Sequence, residues 1–552
     1  MSDRHVARCN SLSALALIAM AMSALACRGS APAGEPAQLR PQILTESLPP
    51  NQARLRPRIL TESLPPDQAR LRPRVLTETL APPSPSRDGL RRLADSLLAA
   101  PMWRSAQWGV LIVDPASSDT LYSVNAGKLF VPASNTKLIT GAVALAQLGP
   151  TYRYTTRLLG RAPQRDGTMR GDLVVIGRGD PSVSDSLARD AMAPLRALAD
   201  SLAQRGVKRI SGRLISGGDA FNDATLGYGW AWDNLDEEYA APIDELLFNE
   251  GFARVIVIGG AQPGDPVRVR TEPATTVPRI GVVTAITGRN CCMERSRVTI
   301  TGDVRGARPS VAVGGVVRAG DSVTVTVSLR HPNAAYLDAF AEALRARGIT
   351  IAKGVEADSL ADTTGMVPLA SHTSPPMSAI LAAFLNPSQN QIGEVLLKTL
   401  ALERGGSGRA DSGLVIVREQ LAAWGVDSSL ASLRDGSGLS RHNFIAPEAI
   451  VRVLAVMQQR ADFDVFYQAL SVGGVDGTLA TRLRGTPAMA NVHAKTGTLD
   501  KVRALSGYVT SADGRLLIFS MFANNQTVPT REVDRVQEAI LAYLASMDAA
   551  PR

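Results

Sequence analysis

Between about residues 155 and 325 the chain changes its hydrophobic rhythm, and this change constrains the fold more than any other feature. "TTRLLGR", "GDLVVIGRG", "VKRISGRLISGGD", "ARVIVIGG", "SRVTITGDV" and "DSVTVTVSLR" are short β-rich runs punctuated by glycine. On either side the pattern is mixed. Upstream, "DGLRRLADSLLAA" has amphipathic helical spacing, "WGVLIVDP" and "DTLYSVNAG" read as a hairpin, and "SNTKLITGAVALAQLGP" is a helix stopped at Gly149–Pro150. Downstream, helical periodicity returns in "NAAYLDAFAEALRARG", "PPMSAILAAFLN" and "NQIGEVLLKTLALERG". "VRALSGYVTSADGRLLIFSMFANN" then supplies two strands around a Ser-Ala-Asp-Gly turn, before the helix "REVDRVQEAILAYLASM". At 552 residues the chain exceeds one ordinary domain. The pattern predicts a discontinuous α/β domain from segments 87–154 and 326–552, carrying a large β-rich insertion at 155–325 with room for two subdomains.

The N-terminus speaks to the compartment. Arg4 and Arg8 precede an apolar stretch, Leu12 to Ala26, that ends in "ALAC". A charged start, a short apolar run and a small-residue cleavage site predict an export signal over residues 1–26, too short to span a bilayer comfortably. Cys27 resembles the lipidated cysteine of bacterial lipoproteins, although Ala24 and Leu25 depart from the usual residues there. Simple cleavage and a lipid anchor at Cys27 both stay open, and the expected location is the periplasm or cell envelope. Residues 27–86 hold three copies of a 16-residue unit, beginning "RPQILTESLPP", whose prolines interrupt helix and strand alike. They are expected to form an extended, semi-rigid stalk closed by "APPSPSRDG". Part of the formal net charge of +8 sits there, with seven arginines between residues 40 and 78 against Glu46, Glu62, Asp67 and Glu78. No aromatic-studded basic platform or zinc-finger spacing accompanies it, so nucleic acid is not the expected partner. Of the four cysteines, Cys9 and Cys27 belong to the signal region, and the neighbours Cys291 and Cys292 could bridge only with strain. No metal or cofactor is expected from these residues.

Seven lysines stand against 52 arginines, which makes each lysine position informative. Lys137 follows Ser134 by three residues in "SNTK", so both side chains leave one face of the predicted helix. A serine hydroxyl needs a base to become a nucleophile. Lysine can be that base when burial, a second cation or a helix N-terminus lowers its pKa. Arginine cannot, because its guanidinium does not deprotonate in proteins. A second element, "NPSQNQIGE", places Ser388 and Asn390 in a proline-containing turn entering a helix. Another S-x-N, Ser123–Asn125, lies before the nucleophile and reads as hairpin surface. The third element is "HAKTGTL", with Lys495, Thr496 and Gly497 on a strand; Gly497 would let a ligand approach the strand edge. Each piece alone is weak, but the ordered trio is not.

S-x-x-K, S-x-N and K-T-G in this order resemble the signature of class A β-lactamases and penicillin-binding proteins. The gap of 254 positions between Ser134 and Ser388 narrows the resemblance. It is similar to the D-alanyl-D-alanine carboxypeptidase/endopeptidase family of low-molecular-mass class C penicillin-binding proteins, which carry inserted domains at that point. "GRGDPSVS", "GYGWAWDNLDEEYAAP", "HTSPPMSAIL", "DGSGLSRHN" and "GGVDGTLATR" are similar to that family too. The match covers residues 87–548 or so.

The resemblance implies a β-lactamase/transpeptidase-like domain, an antiparallel sheet flanked by helices. It implies that Ser134 attacks the carbonyl between two D-alanines while Lys137 accepts its proton. The oxyanion would lie between the backbone N–H groups of Ser134 and Thr498. Ser388 would relay a proton to the leaving D-alanine, and Asn390 would orient the peptide. Lys495 and Thr496 would bind the terminal carboxylate, with Lys495 also lowering the pKa of Lys137. An acidic residue of the inserted region would face the peptide side chain, and Asp219 is the candidate. The implied partners are peptidoglycan stem peptides, with β-lactams as covalent inhibitors. The loop "DGSGLSRHN" reads as structural, and His442 and His493 as packing or surface residues. None of the five histidines has zinc-peptidase spacing. Two other readings share the motifs: a β-lactamase or esterase on the same fold, and a penicillin-binding envelope receptor with little turnover.

Overall fold

The N-terminal hairpin and the C-terminal strands build one sheet, whose central strands Gln107–Asp114, Val502–Thr510 and Leu516–Asn524 are buried on both faces and need helices above and below. In the computed structural model, residues 85–217, 219–289, 295–302, 308–357 and 361–548 are described. The export signal, the stalk up to residue 84 and the Cys291–Cys292 pair lie outside them. Strands β1 (Gln107–Asp114), β2 (Asp119–Val124), β3 (Ser471–Val472), β4 (His493–Leu499), β5 (Val502–Thr510) and β6 (Leu516–Asn524) form an antiparallel sheet in the order β2-β1-β6-β5-β4-β3. β1 docks on β6 in a register running from Gln107↔Asn524 to Val113↔Ile518.

Helices α1 (Arg87–Leu98) and α4 (Thr530–Ser546) cover one face through Leu90, Trp108, Phe519 and Ile540. On the other face lies a larger helical layer built around α2 (Thr136–Leu148), α3 (Asn390–Gly405) and the helices Met377–Leu385 and Pro447–Gln458. Residues 136–145 of α2 are all buried. A helix apolar on every side belongs in the middle of a domain, and here that puts its N-terminal end at the heart of the structure.

The inserted region is a second α/β body, and its limits differ from the expectation. A five-stranded sheet runs in the order Val355–Glu356, Leu214–Gly217, Leu173–Ile176, Thr155–Gly160, Val367–Thr373. Helices Met192–Gln204 and Pro332–Ala346 share one core with it, through Leu195, Leu202, Phe340, Leu344 and Leu369. The return to the first domain therefore comes at about Thr373 and not at 326. "NAAYLDAFAEALRARG" has the periodicity of any amphipathic helix, and periodicity does not say which sheet it packs on. The exit strand pairs antiparallel with the entry strand, Thr373 opposite Thr155, so the region is attached through one two-stranded neck. Beyond it, strands Phe252–Ile258, Ser310–Arg318 and Ser322–Ser328 close a small separate core of Val255, Val257, Val311, Val313, Val317 and Val327. Helix Met192–Gln204 lies in a stretch where only strands were expected.

Candidate active site

The turn that carries Ser134 is held from three sides. Just upstream, the Val131 N–H donates to Asn524 Oδ1 at 2.8 Å, and its carbonyl accepts from Asn524 Nδ2 at 3.2 Å, which ties the chain to the end of β6. Residues Ala133–Asn135 form a single 3-10 turn leading into α2. The buried Asn135 donates from Nδ2 to the Lys495 carbonyl at 3.0 Å, joining the first motif to the third. Glycines flank the turn. A Cβ on Gly497 would stand 2.6 Å from the Pro132 carbonyl oxygen. At Gly438, which has φ +85°, a Cβ would overlap the Ala133 carbonyl oxygen. The absence of a side chain at Gly497 thus also serves a backbone-to-backbone approach.

Lys137 is fully buried, and Nζ lies 2.9 Å from Ser134 Oγ, 2.6 Å from Asn390 Oδ1 and 2.6 Å from the Ser437 carbonyl oxygen. The last two positions can only accept hydrogens. A neutral amine that donates its two hydrogens to them turns its lone pair to Ser134, whose hydroxyl then donates to Nζ. Burial lowers the Lys137 pKa to about 7, against the opposing pull of Asp435 and Glu394. Desolvation, not the field of Lys495, is the cause. The repulsion shows on Lys495 instead: it is buried, and its pKa is pushed well down by burial, then by Lys137 and Arg503.

The inserted region fixes the second motif. Ser388 has φ +70° in the loop before α3 and lines the cleft. Gln389 donates from Nε2 to Glu250 Oε2 at 2.5 Å. Asn390 donates from Nδ2 to the Tyr239 carbonyl at 2.7 Å, and Gln391 from Nε2 to the Glu238 carbonyl at 2.7 Å. Because the Tyr239 carbonyl can only accept, it sets the amide so that Asn390 Oδ1 faces Lys137. In the third motif, the Thr496 hydroxyl donates to Thr478 Oγ1 at 2.8 Å, and Thr498 Oγ1 accepts from Arg503.

A cleft of about 820 Å³ opens above these groups, and Ser134, Ser388, Asn390, Thr496 and Thr498 all line it. Gly229, Asp233 and Tyr239 of the inserted region form part of its wall. Asp219 does not line it. That residue is exposed, in a turn after strand Leu214–Gly217 whose next N–H, of Ala220, is tied to Glu245 at 2.8 Å. Asp233, fourteen residues on in "WAWDN", is the acid of the inserted region that lines the cleft.

The loop "DGSGLSRHN" is likewise more than structural. It supplies the Ser437 carbonyl to Lys137 and contributes Gly438, Leu439 and Arg441 to the cleft. Its run of small residues, which lets backbones come close, was the available signal. Glu394, buried behind it, was missed although it stands one helical turn after Asn390. His493 stacks on Tyr467 at 3.9 Å between ring centres, and His442 packs edge-on against Tyr228.

A serine facing a buried lysine at the junction of a helical layer and a sheet edge is an arrangement in which lysine could take the place that histidine has in other serine enzymes. Residues 90–547 match the D-Ala-D-Ala carboxypeptidase 3 (S13) family, and the chain belongs to that family. It is a peptidase of the hydrolase class. A D-alanyl-D-alanine carboxypeptidase of an Actinomadura species is 35% identical over 473 residues, covering 83% of this chain and 84% of that protein. The D-alanyl-D-alanine carboxypeptidase DacB of Haemophilus influenzae is 26% identical over 72% of this chain and 81% of its own length. The crystal structure of penicillin binding protein 4 from that organism superposes with a TM-score of 0.71 at 23% identity, over 81% of this chain and 98% of that one. The fold is the one expected.

Proposed function

We propose that the chain hydrolyses the bond between two D-alanines of peptidoglycan stem peptides through an acyl-enzyme on Ser134, and that β-lactams acylate the same serine. The observation that carries this reading is the pair of acceptors on Lys137, Asn390 Oδ1 and the Ser437 carbonyl, which leaves its lone pair for the Ser134 hydroxyl. Ser134 Oγ attacks the carbonyl carbon as its proton passes to Lys137 Nζ. The oxyanion forms between the backbone N–H groups of Ser134 and Thr498, donors worth about 3 kcal/mol each where they are preorganised. Ser388 carries a proton to the leaving D-alanine nitrogen, and that bond breaks. Lys495, Thr496 and Gly497 present the strand edge and its cation to the terminal carboxylate, while Asn390 holds both the base and the peptide. Water then attacks the ester. Asp233 takes the role assigned to Asp219, facing the peptide side chain. The names of the relatives support the substrate, and the export signal fits a substrate outside the cytoplasmic membrane. No helix among the described residues is long and apolar enough to cross a membrane.

Product analysis on cross-linked and uncross-linked muropeptides tests the reading. Release of D-alanine from uncross-linked peptides, or cleavage of the cross-link, is the expected result. Repeated hydrolysis of penicillin with no D-alanine released from a D-Ala-D-Ala peptide would overturn it. The lysine base adds a pH dependence. Only neutral Lys137 accepts the proton, and its pKa is about 7. The second-order rate of penicillin acylation is therefore expected to level off above that value and to fall about tenfold for each pH unit below it. A flat profile down to pH 5 or so would exclude this base.

A further inference from the structure

Behind the lysine, and outside the cleft, two buried carboxylates gather the N–H groups of one loop. Glu394 is 3% exposed and Asp435 1%. Glu394 Oε1 accepts from the N–H of Gly436 at 3.1 Å and of Ser437 at 2.9 Å, and Oε2 from Gly436 at 3.2 Å. Asp435 accepts from the N–H of Gly438 at 2.8 Å and of Ser440 at 2.6 Å, from Asn443 Nδ2 at 2.7 Å and from Trp230 Nε1 at 3.1 Å. With the N–H groups drawn to the acids, the carbonyls point the other way. Gly436 O accepts from the Thr140 hydroxyl at 2.7 Å, and Ser437 O from Lys137 Nζ at 2.6 Å. The single peptide group between Ser437 and Gly438 therefore bridges Asp435 and Lys137. A carboxylate on its N–H side strengthens the carbonyl as an acceptor.

From this geometry, and resting on the acyl-enzyme reading above, we infer that Glu394 is a positioning residue. It anchors the loop whose Ser437 carbonyl accepts from Lys137 and, with Asp435, places negative charge behind the lysine. The charged groups bearing on Lys137 are Asp435 and Glu394; Lys495 is also near, and there the repulsion from Lys137 helps to lower the Lys495 pKa. Others lie on the far side of Glu394 but are already engaged. Lys398 pairs with Asp223, Arg409 with Asp411, and Arg434 lies over the Tyr228 ring. Burial, together with the charge of Asp435, raises the Glu394 pKa to about 7, so this acid gains or loses its charge in the range where the lysine does.

Glu394→Gln keeps an acceptor oxygen for the loop but removes the charge. Glu394 carries part of its charge at the midpoint of the limb, and losing that part disfavours the ammonium, so the acid limb of the acylation profile is expected to move to lower pH, by about one unit at most. Glu394→Asp keeps the charge with a shorter reach. It is expected to lose rate while its limb stays at the wild-type position. Fluorescent penicillin labelling from pH 5 to 9 or so, with a thermal melt for each variant, reads both. Wild-type labelling in the same series separates this inference from the acyl-enzyme reading, which stands or falls on the wild type alone. A folded Glu394→Gln whose limb stays in place, or moves upward, overturns the assignment and leaves Glu394 a structural anchor. Should that variant not fold, a limb displaced in Glu394→Asp overturns it equally.

Discussion

Lys137→Arg loses penicillin acylation by about 10³-fold or more, the loss expected when a positioned proton acceptor is removed. Lys128→Arg, exposed in the segment before the nucleophile turn, labels at the wild-type rate. The two substitutions are chemically the same and differ only in environment. At position 137 the amine is fully buried, and its two acceptors, Asn390 Oδ1 and the Ser437 carbonyl, take two hydrogens and leave a lone pair for Ser134. A guanidinium there has no lone pair to offer and stays charged at any pH the protein survives. It would also hold the serine hydroxyl as an acceptor, reversing the polarity that attack requires. The measurement is labelling rate against time for both variants, with a thermal melt to show that Lys137→Arg is folded. Near-normal labelling of Lys137→Arg would remove the lysine from the mechanism.

Gly438→Ala is the second large effect, although it adds one methyl group and touches no motif. Position 438 has φ +85°, where an L side chain is strained by about 1–3 kcal/mol. The added Cβ would also overlap the Ala133 carbonyl oxygen, on the residue before the nucleophile. Neither backbone has slack: Val131 is tied to Asn524, Asn135 to Lys495, and the loop to Asp435 and Glu394. The strain therefore goes into the distance between Ser134 and Lys137. A displacement of that kind costs about 100-fold in rate, and this loss in acylation is expected along with a lower melting temperature. Gly485→Ala, where nothing lies within 4 Å of the added Cβ although φ is +71°, is the control. It carries a similar backbone penalty but should label normally. Equal labelling by both variants would show that the close contact at Ala133 does not position the serine.

These two residues also mark what a reading of the sequence can and cannot reach. That the motifs of Ser134, Lys137, Ser388, Asn390 and Lys495 come together was legible because each motif is a short peptide, and local spacing survives into the fold. The strand and helix patterns were legible for the same reason, down to the turn at "SADG". What failed depended on long-range placement. Asp219 and Asp233 are both acids in turns of the inserted region, and only the chain path decides which one lines the cleft. The helix Pro332–Ala346 has the same periodicity whichever sheet it covers, so the boundary was set too early. Glu394 resembles any helical glutamate until folding buries it against the loop.

The contacts of Tyr239, Glu238 and Glu250 with the segment Gln389–Gln391 carry one more consequence. The inserted region attaches by a single neck between Thr155 and Thr373, an arrangement that invites treating it as a detachable module. Yet the amide of Asn390 is oriented by a carbonyl from that module, and Gln389 is gripped by its carboxylate. Excision at the neck would leave a sheet and helices with all three motifs present in sequence, and an asparagine free to turn its nitrogen towards the lysine. Such a truncated chain would keep its signature and lose its catalyst. The inserted region and the peptidase core are therefore expected to work only together, and an exchange of either alone is expected to lose activity.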